Sequence, residues 1–249
     1  MAETQNDVVI HIGPPKTGST FLQRKLFPFQ NDYVYLGEGS LWGGGKLIWS
    51  LTKQAPIFDR AAIYPMLHGL ASARKILISN EILAGHPWPL GKYANAASRS
   101  EIAARLQVVF PNAKILIIER DFEDWVVSAY SEYLRNGGLL KLDQFKEYVH
   151  RTRYADWESL IELYRNKFRD VCVLQFDGLK KNPQQFLNEM ASELKTEFKP
   201  VSTSPVRPRI KGIESSSLVR NLNFFRRSGL NPTAPFFHVP LVGRLINRL

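Results

Sequence analysis

Lys16 is the only lysine in a run of glycines, prolines and hydroxyls, Gly13-Pro14-Pro15-Lys16-Thr17-Gly18-Ser19-Thr20. A cation, small residues that let backbone N–H groups approach a ligand, and two adjacent hydroxyls are the parts of an anion cradle. The chemistry they suit is the capture of a phosphate-like group. Far downstream stands a second set, Arg120 followed eight residues later by Ser128. A guanidinium fork matches phosphate oxygens, and a serine on the next helix adds one hydrogen bond. Carboxylates able to accept a proton stand at Glu81 and Glu38, with His86 a third candidate.

Elements that could position these groups are legible in the hydrophobic pattern. Val8, Val9, Ile10 and Ile12 read as a central parallel strand, broken at once by Gly13, Pro14 and Pro15. Ser19 and Thr20 then open an amphipathic segment with Phe21, Leu22, Leu26 and Phe27 as its apolar positions. Further β-branched runs predict strands at 75–79, 114–118 and 171–176, giving four in all. Helices are expected at 100–110, 122–134 and 154–168, and from the Asn182-Pro183 cap to about 195. Residues 37–50 are rich in glycine and read as a loop. Strands alternating with helices imply an α/β fold, a P-loop-like three-layer sandwich with a central parallel sheet and helices on both faces. In such sheets ligands bind beyond the carboxyl ends of the strands, where Arg120 and Glu81 fall.

A chain of 249 residues is expected to form a single domain over 1–249, with segment 200–249 packed on it or partly mobile. The net charge is +10, and the last fifty residues carry eight basic side chains against Glu214 alone. Such a balance fits nucleic acid, an anionic membrane surface or a multiply charged small molecule. Cys172 is the only cysteine, so no intrachain disulfide forms, in keeping with a reducing compartment. The opening MAETQND lacks the basic start of a secretory signal, and no run approaches the ~18 apolar residues of a membrane span. A cytoplasmic protein is expected, with the basic C-terminal segment a candidate for contact with the inner face of a membrane.

The loop is not a Walker A loop, which places lysine directly after its second glycine; here Ser19 follows Gly18 and Lys16 precedes it. The run PKTGST resembles the 5′-phosphosulfate loop of sulfotransferases that use 3′-phosphoadenosine 5′-phosphosulfate (PAPS). Arg120 and Ser128 resemble that family's 3′-phosphate motif. Phe176, Asp177, Leu179, Asn182 and Pro183 resemble its later strand, acidic turn and helix start. The resemblance covers most of 8–195 and is to the bacterial members similar to carbohydrate sulfotransferases.

That resemblance implies in-line transfer of a sulfuryl group from PAPS to an acceptor hydroxyl, on a carbohydrate or glycolipid, without a metal. It assigns Pro15, Lys16, Thr17, Gly18, Ser19 and Thr20 to the 5′-phosphosulfate, with Lys16 also catalytic, and Arg120 and Ser128 to the 3′-phosphate. Arg209 and Lys211 are its nearest equivalents of a late basic segment that closes the nucleotide site. Glu81 is preferred to Glu38 as the base, with both retained. Trp42, Trp49 and Trp88 would suit a sugar ring. Two other readings compete: a P-loop nucleotide kinase, which needs a lysine where Ser19 stands, and a basic protein binding nucleic acid or membrane through its C-terminal charge. For the enzyme reading no nucleic-acid partner is expected.

Overall fold

A computed structural model describes residues 7–37, 44–54, 58–68, 70, 73, 75–86, 97–199 and 220–221. Among them five strands form one sheet: β1 (Asp7–His11), β2 (Val34–Gly37), β3 (Lys75–Ser79), β4 (Lys114–Glu119) and β5 (Asp170–Gln175). Their spatial order is β2-β3-β1-β4-β5, and every pairing is parallel. From β1 the chain goes to the edge strand β2, returns to lay β3 between them, then crosses to β4 and β5 on the other side. Such a reversal leaves a crevice at the carboxyl ends of the central strands, and the loop after β1 opens into it.

Side chains alternate across the sheet. Ile10, Ile12, Ile76, Ile78, Ile115 and Ile117 face one core, closed by α2 (Gly44–Thr52), α4 (Arg99–Val109) and α7 (Trp157–Arg165). Val9, Leu77, Leu116, Ile118 and Leu174 face the other, closed by the segment after the loop and by α9 (Pro183–Glu193). Covering both faces explains why these strands read as unbroken apolar runs. A third cluster joins α5 (Phe122–Arg135) to α6 (Leu142–Arg151) through Trp125, Tyr130, Tyr133 and Phe145. The short helices α3 (Tyr64–His68) and α8 (Phe176–Lys181) complete the described set, with α1 (Ser19–Phe21) at the loop.

Several boundaries differ from the sequence expectation, each for a local reason. The four expected strands are five, because β2 is a four-residue edge strand too short to show a period. The glycine-rich stretch 37–50 is not wholly loop: its second half opens α2, whose Leu47, Ile48 and Leu51 pack into the core. Buried Arg105 closes that helix by donating to the carbonyls of Leu51 and Lys53, a cation at the negative end of the helix. The helix expected from 154 starts at Trp157, where Asp156 accepts from the Ser159 amide as N-cap. The strand expected through 176 stops at Gln175, and Phe176 begins α8.

One buried bond ties this frame to the site. Tyr164 on α7 donates to the Leu83 carbonyl at 2.8 Å, in the 3-10 turn Glu81–Ala84 that follows β3. Tyr164→Phe leaves that carbonyl without its donor, so unfolding free energy in urea is expected to fall by ~1 kcal/mol.

Candidate active site

The loop between β1 and α1 is held by its carbonyls. Thr17 Oγ1 donates to Pro14 O at 2.7 Å, Trp125 Nε1 to Pro15 O at 2.8 Å, and Arg120 Nη1 to Lys16 O at 3.0 Å. Three successive acceptors are thus turned into the protein. The amides of Ser19 and Thr20, which open the following helix, precede its first internal bond, from Phe21 N–H to the Gly18 carbonyl at 2.9 Å. Lys16 has φ 71°, a left-handed conformation that costs a non-glycine residue roughly 1–2 kcal/mol. The three bonds offset that cost. Gly18 has φ 88°, and a Cβ there would lie 2.9 Å from the Phe176 ring, so the position needs glycine on both counts.

Below the loop lies a buried polar network. His11 Nδ1 meets Ser79 Oγ at 2.7 Å, and Gln23 Nε2 donates to the same hydroxyl at 3.2 Å. Gln23 sits in the π-helical turn Leu22–Leu26 that continues α1. The network therefore joins the ends of β1 and β3 to the helix behind the loop. His11 is buried but only half satisfied: Nε2 has no hydrogen-bond partner among the described residues. It lies against Gly13, where a Cβ would come within 2.6 Å. Ser19 Oγ is likewise buried and without a partner, at the start of the helix where an anion would sit. That orphaned hydroxyl and the inward-turned carbonyls fit a phosphate-like group.

Arg120 follows β4 and directly precedes Asp121, the N-cap of α5. Its guanidinium lies over the Phe176 ring at 5.0 Å, with Nη2 3.7 Å from Asp124. Lys180 on α8 pairs with Asp124 too, and Lys180 first, then Arg120, hold that carboxyl below its usual range. Trp157 Nε1 donates to the Arg120 carbonyl at 2.8 Å. Arg120 is thus fixed at both backbone and side chain, and it ties the strand end to the lysine loop. Ser128 is half-buried on α5, and Asp124, Ser128 and Glu132 recur every four residues along one helix face.

Glu132 and Arg135 are the site residues that the sequence reading missed. Lys16 Nζ lies 3.5 Å from Glu132 Oε2, which also accepts from Arg135 Nη2 at 2.8 Å. The available signal was position: Glu132 stands one turn beyond Ser128. Burial lowers the Lys16 pKa; Glu132 raises it, Arg135 lowers it and Glu81 raises it. Glu81 is half-buried, two residues past β3 and not at the strand end itself. Asn80, not Glu81, caps the turn, accepting from the Ile82 amide at 2.9 Å. His86 is half-buried after the same turn. Glu38, Arg209, Lys211, Trp42 and Trp88 lie outside the described residues. Among the described residues no three His, Cys, Asp or Glu side chains gather as metal ligands, and no helix is long and apolar enough to cross a membrane.

Burial pushes His11 down to about 3. From ~pH 6.5 down to that value the unfolded chain binds a proton that the folded one refuses, so stability is full above the window and falls as pH drops through it. Urea unfolding between about pH 6 and pH 4 is expected to show His11→Gln losing roughly one proton's worth of this slope, ~1.4 kcal/mol per pH unit. An unchanged slope would contradict the assignment.

A family model described as sulfotransferase domain matches residues 5–211. Among solved structures, a sulfotransferase from Alicyclobacillus acidocaldarius is similar at 17% identity and TM-score 0.54, over 90% of this chain and 95% of that one. The sulfotransferase domain from the curacin biosynthetic pathway has 17% identity and TM-score 0.49, over 92% and 93% of the two chains. Mouse sulfotransferase SULT7A1 complexed with PAP has 14% identity and TM-score 0.45, over 91% and 66%. No curated protein matches the sequence.

Proposed function

The chain belongs to the sulfotransferase domain family, and on that premise we propose that it moves a sulfuryl group from PAPS to a carbohydrate or glycolipid hydroxyl, in line and without a metal. The observation that carries the reading is the bond from Arg120 to the Lys16 carbonyl, which joins the two anion-binding motifs into one surface. The kinase and the nucleic-acid or membrane-binding readings are not favoured beside a family match over most of the chain.

In this reading Gly18, Ser19 and Thr20 hold the 5′-phosphate through amides and hydroxyls, with Pro15 and Thr17 shaping the loop. Arg120 and Ser128 take the 3′-phosphate. The acceptor oxygen attacks sulfur as the bond from sulfur to the 5′-phosphate oxygen breaks, and the Lys16 ammonium neutralises the charge left on that phosphate. The acceptor proton passes to a carboxylate. Glu81 is the preferred base because its charge is felt at Lys16; Glu38 remains the alternative. The Trp49 ring, 61% exposed on α2, supports a sugar-stacking acceptor face. The reading keeps the enzyme cytoplasmic, with Arg209 and Lys211 closing the nucleotide site and segment 200–249 available to an anionic membrane surface.

Thermal shift with the product nucleotide PAP, beside ATP with magnesium, tests the donor. Stabilisation by PAP without metal is expected, with affinity weakened about 10- to 100-fold in Arg120→Ala through loss of a charge-assisted contact worth ~1.5–3 kcal/mol. A response to ATP and magnesium alone would sink the reading. For the base, Glu81→Gln is expected to lower turnover by about 10²–10⁴ while leaving PAP binding intact. If Glu38→Gln does this instead, the base is Glu38.

A further inference from the structure

The ammonium that sulfuryl transfer needs is already engaged. Lys16 Nζ is 3.5 Å from Glu132 Oε2, whereas Arg135 holds the same oxygen at 2.8 Å. The carboxylate therefore belongs first to Arg135, and its grip on Lys16 is the weaker of the two. Lys16 and Glu132 keep 26% and 33% of their side-chain surface, so solvent screens the pair. The Lys16 backbone is fixed by its left-handed conformation and by Arg120. Its ammonium can thus relocate only by turning its own side-chain bonds.

We propose that Glu132 is a positioning residue that parks Lys16 against α5 until a phosphosulfate displaces it, Arg135 then remaining to neutralise the vacated carboxylate. The inference rests on the sulfotransferase reading. A donor brings more negative charge to the loop than a carboxylate already shared with a guanidinium, so the exchange runs toward the donor. Glu132 also keeps the parked group charged: Glu132 and Arg135 face it from α5 and Glu81 from the turn after β3, while Arg120 holds the backbone carbonyl of the same lysine. Removing Glu132 takes away the larger of the two carboxylate influences that raise the Lys16 pKa.

Isothermal titration of the full chain with PAP provides the test, on wild type, Glu132→Gln, Lys16→Met and the double variant. Freed from its competitor, Lys16 is expected to bind PAP about threefold to fivefold more tightly in Glu132→Gln. On the Lys16→Met background the same change is expected to do nothing, which isolates the coupling between the two residues. The alkaline loss of PAP affinity is expected to move to lower pH in Glu132→Gln. Equal tightening on both backgrounds would make Glu132 only a like-charged neighbour of the ligand and overturn the proposal. Unchanged or weaker binding in Glu132→Gln overturns it too, while wild type that takes up no PAP sinks the sulfotransferase reading itself. Glu132→Ala answers the same question if the glutamine variant does not fold.

Discussion

Everything at the carboxyl end of this sheet depends on where three consecutive carbonyls point. Pro14, Pro15 and Lys16 each give their oxygen to a side chain, from Thr17, Trp125 and Arg120 in turn. Two of those donors come from the far side of the crevice, at the end of β4 and the start of α5. A loop held this way does not have to be ordered by its ligand, and electrostatic stabilisation is strongest where donors are fixed beforehand. The same bonds make a left-handed lysine affordable. A lysine in an ordinary conformation would leave the loop on a different course, away from Glu132 and Glu81.

The polar network beneath the loop serves the other half of the crevice. His11, Ser79 and Gln23 are all buried, and their hydrogen bonds fix the relative height of β1, β3 and the helix behind the loop. Glu81 follows Ser79 by two residues, so its place relative to Lys16 is set by this network and by the Tyr164 bond to Leu83. Buried polar groups are costly unless paired, which makes such a network specific about geometry. Here the neutral histidine matters, because burial alone would make a charged imidazole in that space costly.

The parts of the site that the sequence disclosed are those carried by local pattern. A strand, a glycine break and a hydroxyl-led helix can be read from Val8 to Phe27, and Arg120 is placed by the run that ends beside it. Periodicity likewise placed α5, and the Asn182-Pro183 pair placed α9. What stayed hidden is non-local. Nothing near Glu132 in the chain indicates Lys16, because the pair is 116 residues apart and formed by docking α5 over the loop. Trp125 falls inside the expected helix 122–134, but its hydrogen bond to the distant Pro15 carbonyl leaves no mark on spacing. The start of α2 was masked by Gly44 and Gly45, whose low helix propensity is outweighed by packing of Leu47, Ile48 and Leu51.

The π-helical turn at Leu22–Leu26 bears on how this chain can change. A π turn holds one residue more than an α turn, so everything after it is rotated by about 100° from where an α-helix would carry it. Phe27, whose ring meets His11 edge-on at 5.7 Å, lies just past that offset. Winding the same residues as an α-helix would swing Phe27 away from the imidazole, whereas deleting one residue of the turn would restore an α-helix with Phe27 still in phase. Substitutions on the solvent side of the same turn, at Arg24, leave its phase alone. In this segment, then, winding and length are coupled, and losing one residue disturbs the phase less than rewinding the turn at full length.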